Sequence, residues 1–183
     1  MIKKAILGVL ALIVIILVGF CIVVAMQPAE FKVTRSATFN APAAAVFEQV
    51  NDFHKWEAWS PWAKIDPNMK TTYSGSPSGP GAGYSWVGND DVGEGKMTIT
   101  QSHPIDHIAV DLEFIKPFAA KNVTEFMFKQ NGDKTDVTWT MTGRNNFMLK
   151  AFCLVINMDK LVGSDFEKGL AQLKSVVEAE PRS

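Results

Sequence analysis

Side chains that could form a reactive site are few in this sequence, and one group has suggestive spacing. His103 and His107 bracket Asp106, so a carboxylate placed here would orient His107 as a general base. The same segment also has the composition of a polar connection between two strands, which is the interpretation we favour. His54 is expected to be a surface position on a helix, although it would also fit the mouth of a cavity.

The glycine-rich loops and the serine hydroxyl considered as candidates do not form a complete catalytic, cofactor-binding or metal-binding motif. The segment Gly88–Lys96 resembles a phosphate-binding loop, but Glu94 stands where lysine is required and Met97 where a hydroxyl is required. Asn89–Asp91 lacks the spaced ligands of a calcium loop, and Ser60 has no partnered histidine. We therefore predict turns here and assign no catalytic, cofactor-binding or metal-binding residue.

Two charged residues fall within strands that we expect to pack on a core. Arg35 has the phase of Val33 and Phe39, so its side chain is predicted to point inward. An arginine inside an apolar domain must be paired, and an unpaired one would suit the anionic head group of a ligand. The interpretation we favour is that the strand twists and Arg35 reaches water. Glu125 shares the phase of Val123 and is predicted to point outward.

The N-terminal segment is far more apolar than the remainder of the chain. Residues Ala5–Met26 carry no charge, and a helix of that length extends for ~33 Å, close to the ~30 Å hydrocarbon core of a bilayer. Lys3 and Lys4 precede it, which under the positive-inside rule keeps the N-terminus in the cytoplasm. A cleaved signal peptide is the alternative, because Val23 and Ala25 fit a small-residue cleavage site.

This pattern divides the chain into a transmembrane anchor, residues 1–28, and a domain, residues 29–183, on the periplasmic side. The net charge of −1, from 18 basic and 19 acidic residues without a basic cluster, argues against nucleic-acid binding. Cys21 lies in the membrane segment and cannot pair with Cys153, so the domain must depend on its core. Two cysteines and three scattered histidines show no metal-ligand spacing, and the oligomeric state stays open.

Alternation of apolar and polar residues predicts seven strands. Phe31–Phe39 has a period of two, and the other strands carry one apolar face each, as in an antiparallel sheet with one buried and one wet face. Ser74–Gly83 is a long glycine-rich loop, and Asn131–Asp133 predicts a hairpin turn. The remaining strands are predicted at Met69–Ser74, Tyr84–Gly88, Lys96–Ser102, His107–Phe114, Asn122–Gln130 and Asp136–Thr142.

Two short helices are predicted between the first and second strands. Pro42–Asn51 begins with proline, which suits the first helical position. Trp56 and Trp59 are three residues apart and would share one face of a second helix that ends at Pro61.

The C-terminal region Phe147–Glu180 has apolar residues at helical spacing. Gly163–Asp165 is expected to interrupt this pattern, so that Ser164 or Asp165 caps a final helix running to Ala179.

The order of elements, together with several motifs, resembles the bacterial polyketide cyclase/dehydrase-like (SRPBCC) family. The resemblance spans roughly Phe31 to Val177, and its most specific part is the tryptophan-rich segment. It implies an α+β helix-grip fold, in which a curved antiparallel sheet wraps around a long C-terminal helix, within the superfamily of pollen allergens and lipid-transfer START domains. The matching motifs are Arg35-Ser36, Asn40-Ala41-Pro42, Val46-Phe47, Val50-Asn51-Asp52, Trp56, Trp59-Ser60-Pro61-Trp62, Gly93-Glu94-Gly95, Phe114-Ile115-Lys116-Pro117-Phe118 and Val137-Thr138-Trp139.

The resemblance also implies a cavity between the sheet and the C-terminal helix that holds an apolar or amphipathic molecule. Aromatic residues on inward phases are expected first to form the core, and they contact a ligand if the cavity stays partly empty. The predicted cavity residues are Arg35, Trp56, Trp59, Trp86, Leu112, Phe114, Phe126, Phe128, Trp139 and Phe166.

Three functions fit these observations. The first is a membrane-tethered domain that binds a lipid-like or other hydrophobic small molecule without a cofactor. The second is an enzyme of the polyketide cyclase/dehydratase type, which needs a titratable group facing the same cavity. The third is an assembly partner with a filled core. A histidine or carboxylate pair inside the cavity would favour catalysis, and an apolar cavity with one or two polar groups would favour binding.

Overall fold

A computed structural model describes residues 2–179 as one apolar helix followed by a curved sheet with its own helices. Three residues separate the end of the first helix from the first strand. The elements are α1 (Ile2–Met26), β1 (Glu30–Phe39), α2 (Ala43–Asn51), a 3₁₀ helix (Phe53–Ala58), β2 (Lys70–Gly75), β3 (Ala82–Val87), β4 (Glu94–His103), β5 (His107–Lys116), β6 (Ala120–Asn131), β7 (Lys134–Arg144), α3 (Phe147–Cys153) and α4 (Met158–Ala179).

The seven strands form one antiparallel sheet in the order β1-β7-β6-β5-β4-β3-β2. Strands β2 to β7 follow one another as a meander, and β1 pairs with β7, which brings the two ends of the domain together. The predicted hairpin between β6 and β7 is confirmed: Asn131 and Lys134 pair, and Gly132 between them has a φ of 60°, a left-handed conformation that glycine adopts without strain.

One face of the sheet is packed and the other is wet, as the alternation predicts. The inner face is covered by α2, the 3₁₀ helix and α4, which makes this the helix-grip fold. Arg35 lies on the phase that faces α4, but its guanidinium pairs with exposed carboxylates of that helix and still reaches water, as the interpretation favoured for Arg35 predicts. Glu125 lies on the outer face, as predicted. The apolar side of α4 that enters the core consists of Phe166, Leu170, Leu173 and Val177.

The C-terminal region breaks at a different place from the one expected. The interruption lies between α3 and α4, and the side chain of Asn157 accepts a hydrogen bond from the Lys160 amide at 3.0 Å. The prediction that Ser164 or Asp165 begins the last helix is wrong, because α4 runs through Gly163 without a break. A side chain at Gly163 would meet the guanidinium of Arg35. Glu180, the predicted end of this region, lies outside the described residues.

The two short segments after β1 differ slightly from the prediction. Pro42 lies just before α2 rather than inside it. The second helix is a 3₁₀ helix that ends at Ala58, and the side chain of Asp52 accepts a hydrogen bond from the His54 amide at its start. Trp56 and Trp59 nevertheless contact each other, with ring centroids 4.7 Å apart.

Helix α1 is long and apolar enough over Lys3–Met26 to span a membrane, a property that a signal sequence shares. Its described side chains are exposed apart from Val24 near its end, which is fully buried. In water such a surface would be unfavourable over its whole length. Helix α1 is therefore suited to an apolar environment that the domain itself does not supply.

Candidate functional site

Four of the predicted cavity residues form a tightly packed aromatic cluster between the sheet and α4. This packed cluster consists of Trp59, Phe126, Trp139 and Phe166, each at most 2% exposed. The Trp139 ring stacks on Phe166 with centroids 3.9 Å apart and planes at 6°, and on Phe126 at 4.8 Å. These rings fill the space directly under α4, where the sequence predicts a cavity.

The polar atoms of these tryptophans are also satisfied within the protein. Trp139 Nε1 donates to Thr124 Oγ1 at 2.7 Å, and Trp59 Nε1 donates to the Gln49 carbonyl at 3.2 Å. Trp56 and Trp86 donate in the same way to the carbonyls of Val50 and Val92. Buried indole nitrogens with internal partners are typical of structural tryptophans. Their role as ligand contacts stays a prediction.

Arg35 points inward but is not a lone cation. Its Nε donates to Glu167 at 2.6 Å and its Nη1 to Asp159 at 3.0 Å, both on α4. These hydrogen bonds raise the pKa of Arg35 and lower the pKa of Asp159. The guanidinium occupies the space that a side chain on Gly163 would need, which explains the glycine inside α4. The charge of Arg35 is thus balanced by the protein.

Part of the inner face is only half-covered. This part lies towards one end of the strands, one cross-strand row beyond the fully buried residues. Pairing across all seven strands places one residue from each in a single row, here called the mouth row. Its members are mostly half-buried, whereas the next row inward, Ile99–Val110–Thr124–Met141–Val33, is fully buried. The mouth row consists of Tyr73, Tyr84, Met97, Leu112, Asn122, Gly143 and Phe31.

The mouth row is half-open because α4 does not extend over it and the 3₁₀ helix reaches only one end, where Phe53 contacts Tyr84 and His54 stacks on Tyr73. Helix α4 packs mainly on β1, with smaller contacts to α2 and the 3₁₀ helix. Beyond the mouth row, Trp86 lies edge to face with Phe114 at 6.0 Å, over the bare backbone of Gly95. Of the ten predicted residues, Leu112 therefore belongs to the mouth row, and Trp86 and Phe114 form its outer wall. Phe128, by contrast, is buried against Phe47 of α2 at the other end of the sheet.

Three polar side chains interrupt the apolar mouth row. Burial raises the pKa of Tyr84 to about 12 and also raises the pKa of Tyr73, so both phenols are neutral at physiological pH. Asn122 is 8% exposed, and its Oδ1 has no hydrogen-bond partner where it fills the space beside Gly143. A buried amide oxygen without a partner is costly, so its presence in this row is notable.

A cavity of about 490 Å³ adjoins one end of the mouth row at Phe31. It lies between the α1–β1 connection and the α3–α4 connection, and its lining includes Pro28, Leu154 and Ile156. A second groove, of about 660 Å³, crosses β5, β6, β7 and β1. Four of its lining residues, Phe31, Leu112, Asn122 and Gly143, belong to the mouth row, so this groove is the opening beside that row. The remaining lining is Val123 together with polar or charged residues of outward phase, which are Glu30, Lys32, Asp111, Glu113, Lys121, Thr142 and Arg144.

Two histidine–carboxylate pairs are present, in different places. His107 Nε2 lies 3.1 Å from Glu125 Oε1 on the outer face of the sheet, away from the mouth row. His54 Nδ1 lies 2.8 Å from Asp52, and the His54 ring stacks on Tyr73 at 4.0 Å, at the end of the mouth row. Within residues 2–179, no three histidine, cysteine or carboxylate side chains are grouped so that they could hold a metal ion.

Residues 30–178 match the family described as polyketide cyclase/dehydrase and lipid transport. The chain belongs to this family. Its membership suggests a domain that binds a hydrophobic ligand. No curated protein matches the chain by sequence.

Solved structures confirm the fold of this polyketide cyclase-like domain. The Mesorhizobium loti protein MLL2253 has a TM-score of 0.61 at 12% identity, over 83% of this chain and 100% of that one. The Chromobacterium violaceum protein CV1439 has a TM-score of 0.59 at 12% identity, over 84% of this chain and 100% of that one. Ara h 8.0201 has a TM-score of 0.56 at 10% identity, over 82% and 99% of the two chains. At such identities the similarity shows the fold alone.

Most residues that the sequence predicts to line a cavity lie deeper than the half-open part of the inner face of this polyketide cyclase-like domain. Leu112 is the one mouth-row residue in that prediction, which does not include Tyr73, Tyr84, Met97, Asn122, Gly143 and Phe31. One signal in the sequence could have indicated the mouth row. Asn122 is a polar residue on the apolar face of β6, which also contains Phe126. Gly143 provides the same signal in β7, where it shares the phase of Trp139.

Proposed function

We propose that this chain is a membrane-tethered domain that binds a lipid-like or other hydrophobic small molecule along the mouth row. The observation that carries the proposal is the mouth row itself. It is an apolar, half-open stripe on the inner face that contains the unpaired amide oxygen of Asn122. Ligand sites are typically apolar surfaces with a few well-placed polar groups. A hydroxyl or an amide N–H of the ligand would donate a hydrogen bond to Asn122 Oδ1.

The position of the mouth row supports a tethered role. The row ends at Phe31, and Phe31 also lines the cavity beside the α1–β1 connection. An apolar ligand partitions into the bilayer, so a domain held beside the membrane meets it at high effective concentration. In this proposal α1 spans the membrane, Lys3 and Lys4 stay in the cytoplasm, and the domain is periplasmic.

The test compares two glutamate variants of the full-length protein. Leu112→Glu places a charge in the mouth row, whereas Met127→Glu places one on the outer face of β6, away from the mouth row. Native mass spectrometry of protein extracted in a mild detergent should show a bound hydrophobic molecule, or an added fatty acid, in the parent and in Met127→Glu. Leu112→Glu should lose it.

Equal ligand retention in the two variants would contradict the mouth row as the binding site. If the parent itself binds neither a cellular molecule nor an added fatty acid, binding as a function fails. The filled core under α4 would then favour a role in assembly. Melting temperatures of both variants, measured in the same detergent, control for loss of folding.

An enzyme working at the same site is the second candidate, and one observation favours it. The Asp52–His54 pair stacks on Tyr73 at the end of the mouth row, where a histidine oriented by a carboxylate could act as a base. His54→Gln should leave ligand retention unchanged in the binding proposal. Conversion of the bound molecule by the parent but not by His54→Gln would establish catalysis.

A further inference from the structure

Helix α3 and the turn after it expose an unusual number of large apolar side chains. This α3 patch consists of Phe147, Met148, Phe152, Leu154 and Val155. Val155 is 83% exposed and Met148 62% exposed. No described side chain of α3 is fully buried. A seven-residue helix is too short to be stable by itself in water, so packing must hold it in place.

The contacts that hold α3 are with the end of α1. Lys150 Nζ donates to the carbonyl of Ala25 at 3.3 Å, which satisfies a free carbonyl in the last turn of α1. The Asn145 amide donates to the carbonyl of Ala29 at 2.7 Å. Helix α1 contacts α3, and Val24 becomes fully buried near the end of α1.

These contacts fix the height of the α3 patch relative to a bilayer. If α1 spans the membrane, its last turn lies where hydrocarbon gives way to head groups. Helix α3 is then held at that level, beside the point where the chain leaves the membrane. Short apolar helices at this depth bury their side chains about 5–10 Å into the boundary between head groups and acyl chains.

We infer that the α3 patch inserts into the lipid interface around the end of α1. This inference rests on the proposed tether. The continuity of α3 with the membrane-spanning helix favours lipid over a second protein, because the lipid that surrounds α1 is already in contact with this surface. The patch also borders the 490 Å³ cavity, to which Leu154 and Val155 contribute. An inserted patch would therefore place that cavity, and the mouth row beyond it, in direct continuity with the bilayer.

The test uses full-length protein reconstituted into phosphatidylcholine vesicles, with an NBD dye on a single cysteine. Met148→Cys lies in the α3 patch, and Met127→Cys is its matched control, an exposed methionine on the outer face of β6. Both are made with Cys21→Ser and Cys153→Ser. A third protein carries Cys153→Ser alone, so that the native Cys21 reports on α1. Phosphatidylcholine carrying a nitroxide on the head group or along the acyl chain quenches dyes at the matching depth.

The expected result is loss of fluorescence from the dye at position 148 with the shallow nitroxide, and no loss at position 127. The dye on Cys21 should be quenched by the acyl-chain nitroxide. Quenching at Cys21 without quenching at position 148 would overturn the α3 proposal and leave the tether standing. No quenching at either position would overturn the tether as well. Equal quenching at positions 148 and 127 would mean that the domain contacts lipid without preference, which also contradicts the proposal.

Discussion

The two parts of the inner face, the packed cluster and the mouth row, have similar composition but different packing. The packed cluster combines Phe126 and Trp139 from inward phases of β6 and β7 with Trp59 and Phe166 from the helical layer, whereas the mouth row takes one inward residue from each strand. The packed cluster lies under α4 and the 3₁₀ helix, and its rings contact each other at distances such as 3.9 Å. The mouth row lies two cross-strand rows further along the strands, where α4 no longer covers it. Coverage by helices, rather than residue type, separates the structural part from the candidate site.

The largest expected difference between the two parts comes from placing one carboxylate in each. Leu170→Asp puts an unpaired charge into the core under α4, where Leu170 is 2% exposed, and should cost on the order of 5 kcal/mol of unfolding free energy. Leu112→Asp in the half-open mouth row should cost about 1 kcal/mol, because water reaches the site. Chemical unfolding followed by circular dichroism measures both. Similar losses would mean that the mouth row is core.

Removing an aromatic ring from each part gives a second comparison. Trp139→Ala removes the ring that stacks on Phe166 and Phe126, and should destabilise the domain by about 3–4 kcal/mol. Phe114→Ala, at the outer wall of the mouth row, should cost about 1 kcal/mol. Ligand binding should fall for Trp139→Ala only in proportion to the folded fraction. A specific loss of binding in the folded Trp139→Ala protein would restore Trp139 as a ligand contact.

Substitution of Asn122 is expected to change the unfolding free energy in the opposite direction. Its Oδ1 is buried without a partner, so Asn122→Leu, which has a similar volume, should raise the unfolding free energy by about 1 kcal/mol. The same variant should bind a polar-headed ligand less tightly, because the ligand loses its hydrogen bond. A variant that is both less stable and equally competent in binding would show that Asn122 has a structural role.

The smallest expected effect concerns Arg35 and its dependence on pH. The pKa of Asp159 is lower in the folded chain than the value of about 3.9 for unfolded aspartate, because Arg35 donates to it. The ion pair therefore stabilises the fold above about pH 4 and loses this contribution as the pH falls through the folded pKa. Asp159→Asn should be less stable than the parent at neutral pH and equal to it in acid. A difference that persists in acid would assign the effect to something other than this titration.

Much of the fold could be predicted because strands and turns are indicated by residues that are close together in the sequence. Alternation located the strands, and Asn131-Gly132 located a hairpin. The position of the break before α4 was not predictable, because the apolar spacing of Phe147–Ile156 continues the pattern of the next helix. Gly163 was interpreted as a helix breaker, although it accommodates Arg35 from a strand far away in the sequence.

The candidate site was predicted only in part, for a related reason. Periodicity identifies the inner face of a strand, but it does not show how far along that strand the helices extend. Trp59, Trp139 and Phe166 are inward and therefore matched the criterion for a cavity wall, yet they pack against each other. Tyr84 and Met97 were missed because their exposure depends on where α4 lies.

The most direct test of ligand binding at the mouth row is photo-crosslinking in a membrane. Full-length protein in vesicles that contain a diazirine-bearing fatty acid is irradiated, digested and mapped by mass spectrometry. The proposal predicts crosslinks on the peptides that carry Tyr84, Met97 and Leu112, and their loss when unlabelled fatty acid competes. Crosslinks confined to α1, or located on the outer face of the sheet, would contradict binding at the mouth row.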